Sequence, residues 1–115
     1  MKRAAQSLSK ILDRTDFLKQ VYKKDLQFGD LVLVQTQNST YTVRVLDDGF
    51  YSVSGGWFDL QGLSPVKLKI TGCTWGGSIV KMDIMAACGL CLEFSNRVVT
   101  SPIKQVTVVK YTEQN

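Results

Sequence analysis

Histidine is absent from this 115-residue sequence. Without an imidazole the chain cannot build a Ser-His-Asp triad, a Cys-His nucleophile pair or any His-based metal site. Long apolar runs are missing too. The longest uncharged stretch, residues 31–43, is thirteen residues and contains Gln, Asn, Ser and Thr. It is too short and too polar for a transmembrane helix. Lys2 and Arg3 are followed by Ala-Ala-Gln-Ser-Leu-Ser-Lys, which lacks the apolar core of a secretory signal. A cytoplasmic protein with no membrane partner is therefore expected. What is present is ordinary globular composition, 44% apolar and 21% charged, in the length of one domain.

The formal charge of +4 is unevenly spread. Residues 1–25 hold seven Lys and Arg against three Asp, whereas residues 26–115 hold seven basic and seven acidic side chains. An excess confined to one segment fits contact with nucleic acid or an anionic surface. It fits a solvent-facing helix better, because the charge density falls well short of a polybasic run.

Two kinds of sequence meet near Gly29. Over residues 7–26 the apolar side chains Leu8, Ile11, Leu12, Leu18, Val21 and Tyr22, with Thr15 in the same stripe, recur at intervals of three and four. That spacing predicts an amphipathic helix, continuous or restarted at Thr15-Asp16, ended by Phe28-Gly29-Asp30. Beyond Gly29 the period changes to two and the residues turn β-branched and aromatic. Strands are predicted at 31–36, 40–46, 50–54, 66–71, 79–85, 90–94 and 103–111. Asp47-Asp48-Gly49 is a hairpin signal, because Asp-Gly accepts the positive φ angles of a tight turn. Ser101-Pro102 reads as a break. No β-α-β spacing, internal repeat or linker occurs, which excludes a parallel sheet. The expected fold is mainly β. It is an antiparallel β-barrel or rolled sheet of seven to eight strands with an SH3-like core, in a single domain. An N-terminal amphipathic helix (1–28) packs on residues 29–111.

Short motifs follow one another along the β region: Gly29-Asp30-Leu31-Val32, Asn38-Ser39-Thr40-Tyr41, Gly55-Gly56-Trp57-Phe58, Gly72-Cys73-Thr74-Trp75-Gly76-Gly77 and Asn96-Arg97-Val98-Val99-Thr100. On these the chain resembles a family of short, stand-alone bacterial proteins of unknown function, over roughly residues 29–109. The resemblance implies no activity, cofactor or partner.

Three constellations carry the chemical possibilities. Cys88-Gly89-Leu90-Cys91 has the spacing of a redox or zinc pair. The residues after it read as strand, where a thioredoxin-type site needs a helix start. A structural zinc wants four ligands, and Cys73 makes only three cysteines. Free structural thiols, no metal and no cofactor are expected. Trp57, Phe58 and Trp75 beside Gly pairs, with Phe50, Tyr51 and Asp59 near in sequence, form a candidate aromatic site for a flat ligand or peptide. Alternatively both Trp plug the ends of a barrel and the glycines let its sheet bend. Lys67, Lys69, Lys81 and Arg97 supply the positive charge that single-stranded nucleic-acid binding would add to those aromatics. Asp59 or Asp83 would serve a small-molecule enzyme. The leading expectation is a non-enzymatic binding or interaction module at Trp57, Phe58 and Trp75; nucleic-acid binding is the alternative, and an enzyme the second alternative. Residues 103–111, with Lys104 and Lys110 as the charged residues among apolar ones, are expected at a sheet edge. An unpaired edge predicts a homo-oligomer, a dimer or higher.

Overall fold

The structure, a computed structural model, describes residues 19–75 and 79–114. Among them the strands are β1 (Gln20–Tyr22), β2 (Leu31–Thr36), β3 (Thr40–Val45), β4 (Tyr51–Gly55), β5 (Val66–Leu68), β6 (Ile70–Thr74), β7 (Val80–Lys81), β8 (Ile84–Ala87), β9 (Cys91–Phe94) and β10 (Val99–Val109). A short helix α1 (Gly56–Leu60) follows β4, and 3₁₀ turns occur at Lys23–Asp25 and Tyr111–Glu113. All pairings are antiparallel. Eight strands form one sheet in the order β5-β4-β3-β2-β10-β9-β6-β7, and β1 pairs with β8 in a separate ribbon.

Alternation builds this sheet. In β2 the buried residues are Val32, Val34 and Thr36, and in β3 Tyr41, Val43 and Val45. The register sets Val32 against Val43 and Val34 against Tyr41, so the buried face is apolar up to Thr36 at the end of β2. Val32, Val34, Val43 and Val53 are fully buried, each contributing about 1.5–3 kcal/mol relative to exposure. The core closes where the two halves of the sheet meet. Phe58 of α1 lies 4.9 Å from Phe94 of β9 and 6.1 Å from Tyr41 of β3, ring centroid to ring centroid, both edge-on.

Three expectations are corrected. The sheet is antiparallel, but it does not close into a barrel: β5 and β7 stand at its two ends. Chain continuity joins those regions instead, because β5 passes through Lys69 alone into β6. Of the predicted helix, residues 7–18 lie outside the described residues, so the packing of its Leu8/Ile11/Leu12/Leu18 stripe does too. Residues 20–25, however, are strand and 3₁₀ turn rather than helix. Val21 and Tyr22 suit an extended ladder, and pairing with Ala86 and Ile84 overrides the local helical spacing. The C-terminal strand, last, begins earlier than expected: its residues 99–102 pair with β9 and its residues 103–109 with β2. β10 is longer than predicted and lies between β2 and β9. Pro102 does not break it. It sits where the pairing to β9 shifts register, a position that tolerates a residue without an N–H.

The glycine of the first Gly-Trp motif is a close-approach residue. Gly55 has φ of +101°, and a Cβ there would strike the backbone carbonyl of Thr40 on the neighbouring strand. Gly55→Ala is expected to cost about 1–3 kcal/mol from backbone strain, read as a lower midpoint in urea. An unchanged midpoint would show that β3 and β4 part easily at this point.

Candidate functional site

A basic cleft opens where the first described segment crosses the sheet. After β1 the chain tightens into the 3₁₀ turn Lys23–Asp25, whose Lys23 N–H donates to the Asp83 carbonyl at 3.0 Å. The Lys23 ammonium reaches back to β6, donating to the carbonyls of Ile70 at 2.7 Å and Thr71 at 3.3 Å. Facing this turn is the β3–β4 hairpin, closed by Phe50 N–H donating to the Asp47 carbonyl, with Asp48 and Gly49 at positive φ. Between them lies a cleft of about 570 Å³ lined by Lys23, Lys24, Phe28, Asp47, Asp48, Phe50 and Lys69, among others. Phe28 is 59% exposed at its rim. On the other side of the 3₁₀ turn is a second cleft of about 620 Å³, lined by Tyr22, Lys23, Lys24, Asp25 and Asp83.

The lysines are placed by strand geometry. In β5 and its continuation the buried residues are Leu68 and Ile70, so Lys67 and Lys69 share the opposite, outer face. Their ammonium groups stand 4.8 and 5.0 Å from the centroid of the Phe50 ring. Lys24 stands 5.8 Å from the Tyr22 ring. Burial lowers the Lys23 pKa, and the nearby Asp83 and Cys73 charges partly oppose it. With two carbonyls as acceptors, Lys23 is a fixed donor and not a free-swinging cation. The arrangement therefore offers cations and flat apolar rings in one concavity, the chemistry that holds phosphate and base together.

The residues expected from sequence are distributed as follows. Lys67 and Lys69 meet on Phe50. Lys81 lies on another hairpin, 5.0 Å from the ring of Trp75, and Arg97 sits at positive φ in the turn after β9. Trp57 and Trp75 are 38% and 67% exposed, so neither plugs the core, and neither lines the two clefts. Phe58 is fully buried and supports Trp57 edge-on at 5.4 Å. Asp59 is a local fastener. Its carboxylate accepts the Ser64 hydroxyl and the Gly55 N–H, and these bonds hold its pKa below the usual carboxylate value. Asp83 lines the second cleft, which does not contain Asp59. No disulfide links the three cysteines, and burial pushes the Cys73 thiol up to about 11.

Lys23, Lys24 and Phe28 are the site residues that sequence reasoning missed. The signal in the sequence is the basic excess of the first segment, which fits nucleic-acid contact but fits a solvent-facing helix better. No family model, curated protein or solved structure matches the chain.

Proposed function

We propose that this domain is a non-enzymatic binding module that takes a single strand of nucleic acid in the lysine-lined cleft. The observation that carries the reading is the cleft's own Phe50, Lys69, Lys23 and Lys24, with Lys67 beside the cleft and also over the Phe50 ring. Rings in such a cleft stack on unpaired bases, which a duplex keeps stacked within itself. A cytoplasmic setting belongs to the same reading, in keeping with three unbridged thiols. Among the described residues no helix is long and apolar enough to cross a membrane.

Fluorescence anisotropy with labelled oligothymidylate and oligouridylate at several salt concentrations tests it. Affinity is expected to fall with salt, with a log–log slope of about −2 to −3 if the three lysines lining the cleft and the adjacent Lys67 meet phosphates. The double variant Lys67→Ala/Lys69→Ala should shallow that slope, and duplex of equal length should bind more weakly. Asp47 and Asp48 line the cleft as like charges to the ligand. Asp47→Asn/Asp48→Asn is thus expected to tighten binding about twofold to tenfold at low salt. Binding that ignores salt and the lysine substitutions would reject this ligand class.

A second reading rests on the apolar surface of α1 and the loop after it. Trp57, Leu60 and Leu63 are 38%, 83% and 47% exposed in one short stretch. Exposed apolar residues grouped in this way favour a protein partner. Loss of a co-purifying partner on Leu60→Asp, with oligonucleotide binding unchanged, would assign that surface.

A further inference from the structure

The two clefts are not separate features. Lys23 and Lys24 line both, so the 3₁₀ turn Lys23–Asp25 is a saddle between them. Each side holds an aromatic ring with a lysine ammonium over it: Phe50 with Lys67 and Lys69 on one, Tyr22 with Lys24 on the other. The saddle is anchored at both levels. Its backbone bonds Asp83, and the Lys23 ammonium bonds two carbonyls of β6. Carboxylates border the path: Asp47 and Asp48 in the first cleft, Asp25 and Asp83 in the second.

Building on the proposed nucleic-acid reading, we infer that the strand crosses this saddle and occupies both clefts, one base on Phe50 and another on Tyr22. The phosphodiester backbone passes over Lys23 and Lys24, the cations common to the two sides. The flanking carboxylates repel phosphate, so the backbone is confined to the saddle while uncharged bases reach the rings. The recognised unit is therefore an oligonucleotide longer than the one or two nucleotides that a single cleft would take.

The test is a length series of oligothymidylates and oligouridylates from one to about eight nucleotides, within the site sizes of single-strand-binding domains. Affinity is expected to keep rising past the dinucleotide. Phe50→Leu should weaken every length, by about five- to hundredfold where a stacked base is lost. Tyr22→Leu keeps apolar bulk in β1 but removes the ring. It should weaken the longer oligonucleotides by a similar factor and leave the dinucleotide untouched, while Tyr22→Phe should bind like the parent. Thermal melts of each variant separate lost stacking from lost fold. A plateau at the dinucleotide, or equal binding by Tyr22→Leu at all lengths in a folded protein, overturns the two-cleft path but leaves the single-cleft reading standing. No binding at any length rejects both. Polyglutamate binding as tight as the oligonucleotide would also overturn it, because a carboxylate polymer has no bases to stack.

Discussion

Phe58→Ala is expected to destabilise the fold by about 3–5 kcal/mol, the range for deleting a buried phenyl ring from a close-packed core. The ring is fully buried and meets three others edge-on or nearly so: Phe94 at 4.9 Å and 84°, Trp57 at 5.4 Å and 89°, and Tyr41 at 6.1 Å and 80°. Such pairs add about 0.5–1.5 kcal/mol beyond area burial, and all three are lost together. α1 has only five residues and cannot hold its helix by backbone bonds alone. Phe58 is its buried residue, so the substitution should also release Trp57 and shift its emission to longer wavelength. Urea denaturation gives the energy. Phe58→Leu is the companion variant: it should cost less and leave oligonucleotide binding intact, since Phe58 does not line either cleft. A loss below about 1 kcal/mol for Phe58→Ala would mean that the core collapses around the gap, which the spread of such costs allows only at loosely packed sites.

This residue also shows where the sequence was legible and where it was not. β2, β3 and β4 were readable because one face is apolar at period two, and the turn between β3 and β4 because Asp48 and Gly49 must take positive φ. Gly55-Gly56 was readable as a special backbone point, but not as the start of a helix. A five-residue helix has no periodicity to detect, and Phe58 with Trp57 beside it looked like one aromatic surface. The structure turns one ring inward and the other outward. Residues 20–25 failed for a different reason. Val21 and Tyr22 satisfy helical spacing with Leu18, yet the pairing that fixes them as strand comes from β8, more than sixty residues on. The cleft follows the same logic. Lys67 and Lys69 were legible as a wet strand face, but their neighbourhood with Lys23 depends on a bond spanning 47 residues of sequence, from Lys23 to Ile70. No local pattern records that.

Asp30→Ala is the other substitution with a large expected effect, about 2–4 kcal/mol, and its pH dependence identifies the cause. Asp30 is 2% exposed at the entrance to β2. Its carboxylate accepts the Gln27 N–H at 2.8 Å, the Tyr111 N–H at 3.0 Å and the Lys110 ammonium at 3.0 Å. These bonds fasten the C-terminal 3₁₀ turn onto the Gly29 loop, where Gln114 also donates to the Gly29 carbonyl at 2.8 Å. Hydrogen bonds to a charged group are worth about 1.5–3 kcal/mol each but do not add, and Lys110, at 44% exposure, regains water once its partner is gone. Burial alone would raise the Asp30 pKa. The two backbone donors and Lys110 outweigh it and leave the group below its ordinary value. A carboxyl whose pKa is depressed by folding stabilises the protein fully above its unfolded-state pKa of about 3.9 and loses that contribution as pH falls through the folded-state value. The stability gap between the parent and Asp30→Asn should therefore be constant from pH 7 to about pH 5 and narrow below about pH 4. A gap that stays constant through the acid range would show that Asp30 acts through shape and not through charge, and would leave the ionic clasp between β2 and the C-terminus without support.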